Sequence, residues 1–301
     1  MGGTGFRRWL LGGAVGVLLA AALSSMALAA SPEGMRLYVF TSHYLGPFPK
    51  AALQNGAPNT TFTIPVAFFV IKHPKGNIMF DTGVNDIIIK DPNYWGPLTH
   101  IYNPDRSPNL AVVAQLQKIG MTPGDINYVV LGHMHLDHAG NVGLFPKATV
   151  VFQTDEMQAA FWAPPGAAAN YIATDFNMLR SGIGNPLPNA QKVIQLNGDL
   201  DLFGDGSIYI HRSVGHTPGS EVMVVRLPRT GTVVLTSDAC YLKENLDKDI
   251  LPSIGLVYSP SGTLEGYQWI KRVRDTENGD VIFAHDPETF KAHKHAPEYY
   301  D

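Results

Sequence analysis

The sequence predicts an α/β chain, on three observations. Short apolar, β-branched runs recur along it, helical patterns lie between them, and no internal repeat or charge block interrupts the alternation. The 301 residues are 45% hydrophobic and 16% charged. That balance excludes a disordered chain and supplies apolar material for a sizeable core.

The N-terminus comes first. Arg7 and Arg8 precede an uncharged stretch at 9–23, followed by Ser24, Ser25 and the small-residue pattern Ala27-Leu28-Ala29. This order is that of a secretory signal peptide cut after Ala29. The other reading is an uncleaved anchor, but Gly12, Gly13, Gly16 and the serine pair make a poor membrane span. Residues 1–29 are therefore expected to be removed, leaving 30–301 as a single periplasmic or secreted domain with no lasting membrane association. The arginine pair also resembles a twin-arginine signal. The removed segment holds two of the 22 basic residues and no acid, so the remainder carries 20 against 26, a net charge of −6. Nothing in that charge suggests a nucleic-acid partner.

Strands are expected at 37–40, 64–71, 77–80, 128–131, 149–152, 208–210, 222–225, 233–235 and 281–283, most of them bounded by Gly, Pro, Asn or Asp. Leu110, Val113, Leu116 and Ile119 repeat at helical spacing and end at Gly120. Leu264, Tyr267, Ile270 and Val273 do the same before Gly279. Residues 86–107 and 163–188, rich in Pro, Gly, Asn and aromatics, read as long surface loops that shape a binding site.

The chemistry concentrates where strands stop. The run ending at Leu131 leads into Gly132-His133-Met134-His135-Leu136-Asp137-His138-Ala139-Gly140. His133 and His135 share parity at the end of an extended segment, so both rings can point to one side. One histidine on an apolar strand is ordinarily a core residue. Three histidines and an aspartate together need partners that a core does not offer. His216 follows the run at 208–210, Asp238 the run at 233–235, and His285 the run at 281–283. Five His and two Asp exceed one tetrahedral zinc. They fit two metals about 3.5–4 Å apart that share a carboxylate and a water-derived ligand. With Cys240 the single cysteine, no multi-thiolate site exists. Nitrogen-rich ligation suits two zinc ions, with iron, cobalt or manganese also compatible.

On the HxHxDH motif, His133 to His138, followed in order by a His, an Asp and a His, the sequence resembles the metallo-β-lactamase superfamily. The resemblance implies a four-layer αβ/βα sandwich with a dinuclear site at the edge of its two sheets. It implies that His133, His135 and His216 hold one metal, that Asp137, His138 and His285 hold the second, and that Asp238 bridges. The segment 237–245 looks like that of the N-acyl-homoserine lactone lactonases, in which a tyrosine three residues after the bridging Asp faces the substrate carbonyl. Tyr241 stands there. Phe80-Asp81-Thr82-Gly83, Thr217-Pro218-Gly219-Ser220 and the segment 282–286 match as well. Leu136, where several of these lactonases carry an aromatic residue, and Cys240 depart from the pattern.

This resemblance implies a small-molecule lactone or ester as substrate, opened by a metal-bridging hydroxide, with Tyr241 and Asp137 as catalytic residues. Tyr94, Trp95 and Tyr102 are candidates to line an acyl tail. Cys240 reads as a small buried residue and Asp81 as a support for its neighbours. His43, His73, His100, His211, His293 and His295 lack the strand-end placement. A zinc β-lactamase would generally lack the Asp at 238. A glyoxalase II needs a helical domain longer than the 16 residues after His285. A flavodiiron reductase has Glu where His135 stands. A secreted organophosphate hydrolase of the same superfamily is the alternative that these residues leave open.

Overall fold

The computed structural model describes residues 1–2, 31–163, 168–184 and 186–301; apart from Met1 and Gly2, the predicted signal segment lies outside them. Each expected run forms a strand. The first sheet runs in the order β1 (Arg36–Pro49), β2 (Thr61–Lys72), β3 (Ile78–Phe80), β4 (Tyr128–Val130), β5 (Thr149–Gln153) and β6 (Val193–Leu196). The second holds β7 (Leu200–Asp201), β8 (Ile208–Arg212), β9 (Glu221–Leu227), β10 (Gly231–Leu235) and β11 (Asp280–Ile282), with β11 at one edge and β7 at the other. The sequence pattern missed β6 and β7, which are short and largely half-buried and so lack a continuous apolar run.

Alternation along the strands builds the layers. Leu37 and Val39 face the second sheet and pack with Phe69, Phe80, Ile210, Met223 and Val233. Tyr38 and Phe40 point the other way, onto Leu116, Phe145 and Phe176. The outer face of the second sheet is covered by the helix Pro260–Glu277, through Tyr267, Ile270 and Val273. Helix, sheet, sheet and helix form the αβ/βα sandwich that the resemblance implied. Among the described residues, no helix is long and apolar enough to cross a membrane.

One expectation is corrected. The described parts of 86–107 and 163–188 are not simple surface loops. They contain short helical turns at Asp86–Ile89, Leu98–Tyr102, Ala173–Phe176 and Asn177–Gly182, and they bury Ile88, Trp95, Phe176 and Leu179. Their apolar residues serve two different cores, so no single period runs through the segment.

β3 runs parallel to β4, and β10 parallel to β11. The C-terminal ends of all four therefore deliver chain to one rim, where side chains from both sheets meet.

Candidate metal centre

The seven side chains picked out at strand ends come together at this rim. His133, His135 and His216 place ligand atoms within 4.8 Å of one another, as do His133, His138 and Asp238, and Asp137, His138 and His285. Asp238 stands between the groups. Its Oδ1 is 3.1 Å from His138 Nε2 and 3.0 Å from His285 Nε2. Its Oδ2 is 3.5 Å from His216 Nε2 and 3.8 Å from His133 Nε2. Asp137 Oδ2 lies 3.7 Å and 3.6 Å from the same nitrogens of His138 and His285. One carboxylate thus faces both halves with different oxygens.

The hydrogen bonds behind the rings fix which nitrogens face inward. His285 Nδ1 lies 2.7 Å from the Pro65 carbonyl, and His216 Nδ1 lies 2.8 Å from the Leu256 carbonyl. A carbonyl only accepts, so each Nδ1 carries the proton and each Nε2 presents a lone pair. His138 Nδ1 donates likewise to Asp81 Oδ2 at 2.8 Å. The Nε2 atoms of His138 and His285 then face each other at 3.3 Å. Two lone pairs at that distance repel unless a cation or a proton lies between them. His133 Nε2 is buried without a hydrogen-bond partner, and Asp238 Oδ1 has only the Nε2 atoms of His138 and His285 beside it. Buried polar atoms in that state are costly, and a metal ion is the partner that such nitrogens and oxygens accept. The residues fit divalent cations.

Charge follows the same division. Burial, with the neighbouring imidazoles, pushes His133 and His135 well below the usual range, so both are neutral donors. Burial works in the same direction on His138, but the carboxylates of Asp238, Asp137 and Asp81 overcome it and hold the proton tightly. Burial would raise the acid of Asp238; the surrounding histidines instead hold it well below the carboxylate range. A cation bound here would take over the charge that such a proton carries.

Backbone shape brings the loops this close. Ser237 and Asp81 hold positive φ values of 45° and 58°, conformations uncommon for residues other than glycine and often found at functional sites. A Cβ on Gly132 would sit 2.3 Å from Ser237 Oγ, so only glycine lets the His133 loop meet the Asp238 loop. Asp81 accepts from Gly132 N, Ser237 Oγ and His138, and so supports the neighbouring loops as the sequence suggested.

A pocket opens on the cluster, lined by Leu45, Phe48, Leu53, Ile64, Leu136 and Leu256, with Tyr102, Asn170, Asp137 and Tyr241 among them. It shares His135, Asn170, His216 and Leu256 with a groove of about 470 Å³. Tyr241 is buried, and its Oη lies 3.0 Å from His216 Nδ1. That nitrogen already carries a proton toward Leu256, so the tyrosine accepts there, and its own hydrogen faces the Asp238 carboxylate at the edge of the cluster. Of the three aromatic candidates for an acyl tail, only Tyr102 lines this pocket. Trp95 is buried in the core beside it, and Tyr94 is bonded to Asp175. Cys240 is buried, and burial pushes its thiol up, which leaves it a poor nucleophile. The sequence reading passed over Asn170 and Glu156. Glu156 follows the end of β5, so the rule that found the ligands applied to it also.

The family model of the metallo-beta-lactamase superfamily matches residues 62–285. The chain belongs to the metallo-beta-lactamase superfamily. Over 268 residues it is 34% identical to the N-acyl homoserine lactonase AttM of Azorhizobium caulinodans, covering 89% of this chain and 99% of that one. The N-acyl homoserine lactonase of Bacillus cereus is 27% identical, over 85% of this chain and 97% of the relative. A solved N-acyl homoserine lactone hydrolase, with N-hexanoyl-L-homoserine bound at its catalytic metal center, superposes with a TM-score of 0.72 at 24% identity. That match covers 88% of this chain and 98% of the other. AidC, a dizinc quorum-quenching lactonase, superposes with a TM-score of 0.60 at 17% identity, covering 84% and 88%. These two solved structures share the fold.

Proposed function

We propose that this protein is a metal-dependent lactonase that opens the ring of N-acyl-homoserine lactones. The observation that carries the reading is the position of the Tyr241 hydroxyl, in an apolar-walled pocket beside the histidine–aspartate cluster. A neutral ester with an apolar tail suits such walls, and the curated relatives that match along nearly their whole length carry this activity in their names.

His133, His135 and His216 would hold one cation and Asp137, His138 and His285 a second, with Asp238 facing both; zinc suits this donor set. Bound there, the cations supply a Lewis acid for the carbonyl and make water a nucleophile at neutral pH. Tyr241 Oη donates to the carbonyl oxygen as negative charge develops on it. Burial, with the carboxylates of Asp238 and Asp137, pushes its hydroxyl well above the usual range, so it keeps the proton it must donate. Water adds to the carbonyl carbon and the bond to the ring oxygen breaks. Asp137, while remaining a ligand, carries the proton released by water to that departing oxygen, giving an acyl-homoserine. The pocket walls at Leu45, Phe48, Ile64 and Tyr102 take the apolar tail. Residues 1–29 act as a cleaved signal and send the enzyme to the periplasm or beyond it, so N-terminal sequencing of the mature protein starts near Ala30.

The test is turnover of N-acyl-homoserine lactones against a cephalosporin and a phosphotriester, with the product identified by mass. Tyr241→Phe removes one hydroxyl and leaves the metals in place. It lowers the lactone rate constant by about 10²–10³. Unchanged kinetics at full metal content would refute the role given to Tyr241.

A further inference from the structure

We infer that Glu156 positions the three-histidine half of the site, holding His133, His135 and His216 for their cation while leaving the Asp137, His138 and His285 half independent of it. The inference rests on the ligand assignment proposed above.

Glu156 lies in the first turn of the helix Thr154–Phe161 and is fully buried. Its Oε1 accepts from Met134 N at 2.8 Å and from Tyr171 Oη at 3.2 Å. Its Oε2 accepts from Thr217 Oγ1 at 2.5 Å and from Gly219 N at 3.1 Å. Every one of these partners adjoins the same half. Met134 sits between His133 and His135 in the chain, Thr217 follows His216, and the Tyr171 ring packs 4.6 Å from that of His135. The other half has its own supports, since His138 bonds to Asp81 and His285 to the Pro65 carbonyl.

The topology gives this acid its importance. His133 and His135 follow β4 of the first sheet, whereas His216 comes between β8 and β9 of the second. Glu156 therefore ties two sheets together at the point where their histidines must converge. A Cβ on Gly219 would sit 2.4 Å from Glu156 N and Cβ, so the His216 loop closes onto the acid only because position 219 is glycine. A carboxylate accepts at both oxygens. Glu156→Gln sets an amide NH₂ against one pair of donors that the acid now satisfies, and so pushes one loop away from the other.

The experiment reads cation affinity rather than turnover. Zn²⁺ is titrated in competition with a chelating indicator into two single-site backgrounds of the full chain. His285→Ala keeps the three-histidine half, and His135→Ala keeps the other. Glu156→Gln weakens Zn²⁺ binding by about 10–100-fold in the first background and leaves it unchanged in the second. Thr217→Val, which removes one donor with little change of shape, gives a smaller loss confined to the first background, and serves if Glu156→Gln does not fold. Equal weakening in both backgrounds, or none in either, would overturn the inference. A wild-type chain that takes up no Zn²⁺ would overturn the ligand assignment, and the role of Glu156 with it. Activity toward lactones plays no part in the readout, so a different substrate would leave the result standing.

Discussion

At the rim of the two sheets, each proposed ligand follows closely on a strand, and the rings of His138, His216 and His285 are braced by a carbonyl or a buried acid directly behind them. The cap over the pocket is built differently. Tyr94 Oη donates to Asp175 Oδ1 at 2.5 Å, Asn85 Nδ2 donates to the same oxygen at 2.7 Å, and Tyr102 Oη donates to Asn170 at 2.9 Å. Those bonds join segments some 70–90 residues apart in the chain, and aromatic packing does the remainder. The rim is thus a place where backbone ladders aim side chains, while in the cap side chains hold the backbone. Damage to the rim should remove chemistry from a folded protein, and damage to the cap should loosen the fold with the metal donors intact.

The largest effect is expected at the rim. His133→Ala leaves its half of the site without a fully buried donor and removes nearly all activity, with loss of the first cation by elemental analysis. Asp238→Ala is equally damaging, because its two oxygens face different halves. A folded His133→Ala protein with full metal and full turnover would erase the contrast.

In the cap, Phe176 is fully buried and packs under the first sheet. Phe176→Ala costs about 3–5 kcal/mol of stability, read from the denaturant midpoint, while the protein that remains folded keeps its metal. Loss of metal without loss of stability would contradict the division of labour.

The smallest effect is a pH dependence at Asp175. Burial raises its acid to about 7, against the donors Tyr94 and Asn85. A carboxyl raised above its unfolded value stabilises the fold fully below the unfolded pKa, about 4, and that contribution is lost progressively as pH rises from there through about 7. About 1.4 kcal/mol disappears between pH 6 and pH 8. Asp175→Asn keeps the accepting Oδ1, and its amide replaces Oδ2, which has no partner in the wild type. The variant should show a flatter melting temperature across that range; an identical slope would show that Asp175 does not titrate there.

The contrast also explains what was legible in the sequence. His133, His135, Asp137, His138, His216, Asp238 and His285 could be picked out because each follows a short β-branched run, and a strand's direction is a local property. The αβ/βα layering followed from the family pattern those residues carry. The cap was misread as surface loops because Trp95 and Phe176 find their partners through the tertiary fold, with no period to announce them. Tyr94 was offered as a pocket wall on composition alone, whereas its hydroxyl belongs to Asp175. Glu156 also follows a strand, so its position could be picked out in the same way, but its four partners are backbone amides and hydroxyls, which leave no mark on a pattern of side-chain types.

The central claim is that cations held by this rim perform the chemistry, and it is tested most directly by metal removal and return. The purified chain should contain close to two divalent cations, lose them and its lactone hydrolysis together on chelation, and recover both when Zn²⁺ is restored. A chain that hydrolyses lactones at full rate with no metal would contradict the account.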